Sequence, residues 1–169
     1  MGAAQEQEYL EFASARAGQL YRSACLLTGG DTHRAEDLVQ ETLGRMFVNW
    51  RKISRGVDNP AGYAQTVLVR TFLTQQRRRS STERPTGEFP DLPEARAGDP
   101  SLRITLLGAL AGLAPKDRAV LVLRYWEDRS VAETAGAMQV SENAVRTRCV
   151  RALEKLRSSL GGNLAEYAA

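Results

Sequence analysis

Apolar residues recur at intervals of three and four along most of this chain, and they nowhere alternate over the short turn-bounded runs that mark strands. That period predicts helices throughout. An opening helix from about Tyr9 to Leu27 would turn Phe12, Leu20, Ala24 and Leu27 inward. After Gly29, Gly30 and Asp31 a second helix sets Ala35, Leu38, Val39, Thr42, Leu43, Met46, Phe47 and Trp50 on one stripe, with Asp37, Gln40 and Glu41 opposite. Asn59 then Pro60 reads as a cap followed by proline at the first helical position, and its helix runs through Tyr63, Val67, Leu68 and Phe72 to Arg77, Arg78 and Arg79. Residues 102–113 and 115–127 predict two more helices, with Leu121, Tyr125 and Trp126 expected in the core.

The last stretch is the most specific. Ser130 with Glu133 three residues on makes a capping box, and Ser141 caps a following helix after a three-residue turn. Val145, Cys149, Ala152, Leu153 and Leu156 share one face of that helix, leaving Asn143, Arg146, Thr147 and Arg151 on the other. A short helix, a tight turn and a polar-faced second helix form a helix-turn-helix, whose second helix enters the major groove. Arg and Asn there can bond guanine and adenine edges, while Arg148, nearer the apolar side, suits a phosphate. Gln139 occupies the turn position where glycine is usual, and the left-handed conformation costs a non-glycine residue ~1–2 kcal/mol.

Between the arginine run and residue 101 lie four of the six prolines and no apolar periodicity. The expected organisation is therefore all-α, two small helical domains on a flexible linker: 1–79, a linker at 80–100, a helix-turn-helix domain at 101–161 and a tail at 162–169. Charge follows the same division. The net charge of +3 hides −4 over residues 1–44, +7 over 45–79, −2 over 80–114 and +3 over 115–157. Two separated basic blocks suggest two contacts with nucleic acid. Only three of the 23 basic residues are lysine, which points to a GC-rich genome. Cys25 and Cys149 stand apart with His33 the lone histidine, so neither a metal nor a disulfide framework is expected, and both thiols read as small buried residues. No apolar run is long enough to span a membrane and no secretory leader is present, so a cytoplasmic location is expected.

The stretches AEDLVQETL, DNPAGY and LRYWED with the helix-turn-helix that follows, in this order and spacing, resemble the extracytoplasmic-function sigma factors of the bacterial sigma-70 family, over about residues 9–157. With the arginine-rich composition, the resemblance suggests an actinobacterial source. It implies a protein without catalytic residues or cofactors that binds core RNA polymerase and carries it to promoters. By the resemblance, Asp37, Gln40 and Glu41 would dock on the clamp of the largest subunit, and the C-terminal domain on the flap of the second-largest. Arg55, Asp58 and Asn59 in a loop, then Tyr63, Thr66 and Arg70 on the helix, would read the minus-ten element as single strand, with Arg77, Arg78 and Arg79 on phosphates. Tyr63 can hold an unstacked base on its ring; internal packing is its other reading. Glu142, Asn143, Arg146, Thr147, Arg148 and Arg151 would meet the minus-thirty-five element as duplex.

Departures from the family pattern are Gln65 and Thr66, where basic residues are common, Gly44, where a bulkier residue is usual, and Gln139 and Asn143, which replace frequent glycines. Glu83, Glu88, Asp91, Glu94 and Asp99 make the linker acidic, suited to a positively charged channel or a plain soluble tether. The terminal Ala168 and Ala169 resemble the ending of tags read by the ClpXP protease, and control by an anti-sigma factor would come from outside the chain. The alternative is an autonomous helix-turn-helix regulator, which would have to dimerise on paired half-sites.

Overall fold

The computed structural model describes residues 1–82 and 100–167. The acidic linker residues 83–99 and the final Ala168 and Ala169 lie outside them. The N-terminal half comprises α1 (Ala3–Leu27), α2 (Thr32–Val48), α3 (Trp50–Gly56) and α4 (Pro60–Thr82). The C-terminal half comprises α5 (Pro100–Ala111), α6 (Pro115–Leu121) continuing into a π-helical turn at Val122–Trp126, α7 (Val131–Met138) and α8 (Glu142–Tyr167). Among the described residues every regular element is helical.

Local chemistry sets the boundaries. Gly29 and Gly30, at φ 65° and 91°, turn the chain after α1. Asp31 accepts the Arg34 amide at 3.2 Å to start α2, and Asn59 accepts the Gly62 amide at 3.1 Å to start α4. The apolar stripe of α2 is not one continuous helix. The chain steps at Asn49, so Trp50 opens α3 instead of closing α2. Its ring meets Tyr9 edge-on at 5.6 Å, and the Tyr9 hydroxyl donates to the Leu43 carbonyl at 2.6 Å. These contacts tie α1 to α2 and α3 at Tyr9, and α1 itself begins at Ala3, six residues earlier than expected. Phe47, expected inside, is 39% exposed, though its ring still abuts Tyr9 at 5.1 Å.

The two halves share one core. Leu20, Leu27, Leu38, Met46, Leu68 and Phe72 fill the first half, and Val120, Leu123 and Val145 the second, with α1 packed directly on α6; Leu110, Leu113, Leu121 and Ala152 form a smaller cluster beside it. Gly29 is part of the seam: a Cβ on it would lie 2.6 Å from that of Ala111, so only glycine lets α5 pass. Arg118, 7% exposed, reaches from α6 into the N-terminal half, donating to the Leu27 carbonyl at 2.8 Å with its guanidinium 5.5 Å from the Phe72 ring centre. Burial, and secondarily the nearby Arg34, pull its pKa down to about 10. Ser23 donates to Glu127 at 2.7 Å across the same seam.

The expectation for Tyr125 and Trp126 is corrected. Leu121 is buried, but the two aromatics are 57% and 52% exposed. The π-turn adds a residue to the helical turn there, as the Glu127 amide bonds the Val122 carbonyl at 2.9 Å, and this rotates both rings out of the stripe.

Candidate nucleic-acid interface

The helix-turn-helix forms from local bonds. Ser130 Oγ accepts the Glu133 amide and Glu133 Oε1 accepts the Ser130 amide, both at 3.0 Å, closing the capping box. The bond from the Ser130 amide is the main reason the Glu133 carboxyl titrates below its ordinary value. The α7 helix ends in a Schellman turn: the Val140 amide reaches the Ala135 carbonyl at 3.1 Å and the Gln139 amide that of Gly136 at 3.4 Å. Gln139 holds the left-handed position, φ 58° and ψ 44°, as the sequence position requires. Ser141 Oγ then accepts the Ala144 amide at 3.1 Å and launches α8.

On α8, Val145, Cys149 and Ala152 are buried, whereas Glu142, Asn143, Arg146, Thr147 and Arg151 face solvent. Arg146 donates to Asn143 at 3.3 Å, which aligns two base-edge-reading side chains on one face. Arg148 is half-buried and pairs with Asp117 of α6 at 3.2 Å. Its guanidinium is already partly neutralised, so it braces α8 against α6 in this arrangement.

A second surface lies where α3 passes into α4. Arg55, Asp58 and Asn59 are exposed, and Tyr63 is 36% exposed at the first outward turn of α4. Thr66 and Arg70 continue that face, but both are engaged with the C-terminal half. Arg129 donates to Thr66 Oγ1 at 2.7 Å and to the Gly62 carbonyl. Arg70 donates to the carbonyls of Ala137 at 2.8 Å and Gly136 at 3.0 Å, at the end of α7. A cation there complements the negative end of the helix. Arg77, Arg78 and Arg79 extend the face as exposed cations.

On α2, Asp37 and Gln40 are exposed. Glu41 is tethered: its carboxylate accepts from Gln75 of α4 at 2.5 Å and from Arg45 at 2.8 Å. The Gln75 bond first, then Arg45, lower its pKa against the opposing effect of burial.

One surface escaped the sequence reading. Leu26, Leu110, Leu121, Leu153, Tyr125 and Trp126 enclose an apolar groove of about 210 Å³. The adjacent aromatics were its signal, but periodicity assigned them to the core. Among the described residues no cluster of His, Cys, Asp or Glu side chains could hold a metal ion, and no helix is long and apolar enough to cross a membrane.

A helix-turn-helix beside a second, basic helical surface defines an all-helical DNA-binding transcription protein of two units. Residues 13–82 match the family model described as sigma-70 region 2, and residues 109–158 match sigma-70 region 4. The chain is 36% identical over 156 residues to the RNA polymerase sigma-E factor of Streptomyces coelicolor, covering 90% of this chain and 86% of that protein. It is 31% identical over 154 residues to the ECF RNA polymerase sigma factor SigL of Mycobacterium tuberculosis, covering 85% and 84%. It therefore belongs to the extracytoplasmic-function sigma factors of the sigma-70 family and acts in transcription initiation, which removes the autonomous-regulator alternative. The fold is also that of sigma factor RpoE from Bartonella quintana, solved with the anti-sigma factor NepR, at TM-score 0.76 and 22% identity over 92% of this chain and 98% of that one.

Proposed function

We propose that this sigma factor docks on the clamp of core RNA polymerase through Asp37, Gln40 and Glu41, and on the flap through the groove roofed by Tyr125 and Trp126. Arg55, Asp58, Asn59, Tyr63, Thr66 and Arg70 read the minus-ten element as single strand, with Arg77, Arg78 and Arg79 on its phosphates. Glu142, Asn143, Arg146, Thr147 and Arg151 read the minus-thirty-five element, and Arg148 joins them once released from Asp117. The functional division is 1–79, 80–100, 101–161 and 162–169. The protein works in the cytoplasm without catalysis of its own. The carrying observation is the exposed Asn143–Arg146–Arg151 face of α8 on a capped helix-turn-helix.

Promoter reading requires the halves to part. Elements centred some 25 base pairs apart lie roughly 85 Å from each other at 3.4 Å per step. A closed chain of this length is only about 40 Å across. Thr66 and Arg70 must also leave Arg129 and the α7 carbonyls before they can meet DNA. An anti-sigma factor that favours the closed arrangement would then silence the protein, in keeping with the anti-sigma complex of the Bartonella relative. Degradation through Ala168 and Ala169 is a separate proposal, refuted by an unchanged cellular half-life when both become aspartate.

Transcription by purified core polymerase on host genomic fragments tests the reading. New start sites should require this protein and disappear with Asp37→Lys and Gln40→Lys combined. Glu41 is a poorer choice, because its loss also unties α2 from α4. Start sites that persist with that double variant would remove the clamp assignment.

A further inference from the structure

Closure creates a cleft that neither half has alone. It has a volume of about 770 Å³ and is walled by α4 on one side and by the α6 start and the α7–α8 turn on the other. Four cations line it, Arg70 and Arg77 from α4, Lys116 from α6 and Arg148 from α8, and none of the described lining residues is acidic. Asp117, the carboxylate paired with Arg148, takes only one of its nitrogens. Arg70 uses Nε and Nη2 on the α7 carbonyls, leaving Nη1. The Gln76 side chain also lines the cleft, and its Nε2 is buried without a hydrogen-bond partner. A buried amide donor without a partner is costly to fold around, so the site lacks an acceptor. Leu73, Pro115, Met138 and Val140 supply an apolar wall beside the cations. The space far exceeds one phosphate group, and the mixture suits a ligand with several anionic oxygens on a partly apolar body.

We infer that this interdomain cleft binds a polyphosphate-bearing nucleotide, whose phosphates bridge Arg70, Arg77, Lys116 and Arg148 while Gln76 donates to it. Such a ligand sees its full set of donors only when the halves are closed, so its binding stabilises the closed state. It also takes Arg70, Arg77 and Arg148 away from promoter DNA; this consequence rests on the DNA assignments above, whereas the binding does not.

Calorimetric titration of the full chain with ATP, GTP, tripolyphosphate and adenosine, at fixed ionic strength without magnesium, tests the site. The expected result is saturable one-to-one binding of ATP or GTP, competed by tripolyphosphate and not by adenosine. Lys116→Glu and Gln76→Leu should each weaken it tenfold or more, while Lys52→Glu, which changes the same charge outside the cleft, should not. A smaller radius of gyration in solution scattering should accompany binding. Heats no larger than those of ionic-strength-matched chloride would overturn the proposal, as would binding that survives Lys116→Glu or falls equally with Lys52→Glu. Circular dichroism identifies any variant that has not folded, and Lys116→Ala then replaces Lys116→Glu.

Discussion

Arg129 and Thr66, 63 residues apart in the chain, meet at 2.7 Å, guanidinium to hydroxyl, and this contact turns the proposed minus-ten face of α4 toward the other half of the molecule. Its donor belongs to a loop held tightly by the helix before it. The Arg129 amide bonds the Leu123 carbonyl at 2.9 Å, Arg124 bonds the Arg129 carbonyl, and Asp128 sits at φ 53°. The arm is therefore aimed before it binds.

Arg129→Ala should loosen the joint without unfolding either half. A charged hydrogen bond of this kind contributes about 1–3 kcal/mol, enough to move a marginal closed–open balance by a factor of ten. The radius of gyration should rise in solution scattering while helical circular dichroism stays constant. Promoter-dependent transcription at limiting protein should increase, since opening no longer opposes DNA contact. An unchanged radius would show that Arg118 and the shared core hold the halves on their own.

Gln139→Gly should stabilise the protein by roughly 0.5–1 kcal/mol. The left-handed backbone at φ 58° strains glutamine by more than the extra unfolded-state freedom of glycine costs. Equilibrium denaturation would report the gain, and a loss of stability would mean the Gln139 side chain makes a compensating contact.

Acid should weaken the α2–α4 tie through Glu41. Its folded pKa lies below the ordinary 4.5, so its stabilising contribution is complete above that value and is lost as pH falls through the folded one. Gln75→Ala removes the largest cause of the shift. Stability curves of the wild type and this variant should differ at pH 7 and converge as the pH falls well below 4.5. Parallel curves across the range would exclude this carboxylate as the source.

Trp126→Ala should leave folding intact, because the ring is half exposed, yet weaken polymerase association. Loss of an aromatic anchor in a docking groove typically costs 2 kcal/mol or more, thirtyfold in affinity. Competition binding to core enzyme reads the effect. Equal affinity would move the flap contact elsewhere.

The helix-turn-helix was legible because its determinants are local: Ser130 with Glu133, Ser141, and the Val145–Cys149–Ala152 stripe act within a few residues of one another. Both lone cysteines are buried, as their places on helical apolar stripes suggest. Two errors share a cause. Trp50 lies in phase with the α2 stripe, so nothing in the period marks the step at Asn49, and nothing in residues 115–127 announces a π-turn that swings Tyr125 and Trp126 outward. Both depend on what the helices meet after folding. The seam was invisible for a different reason. Arg70, Arg118, Arg129 and Arg148 all look like surface charges in sequence, and only tertiary placement separates Arg118, buried on Phe72, from the three that reach across helix surfaces to carbonyl, hydroxyl and carboxylate partners.

The way Arg118 is held has a consequence for how the molecule responds to its surroundings. Its partners are a carbonyl and an aromatic face, both uncharged, within a wall that excludes water. Dissolved ions screen attraction between opposite charges and have little purchase on such a contact. The grip between the halves should thus be nearly indifferent to ionic strength, while the affinity for promoter phosphates falls steeply with salt. A cell under osmotic stress would then shift the contest between the folded-in and DNA-bound forms, with its salt level acting on one side of the balance only.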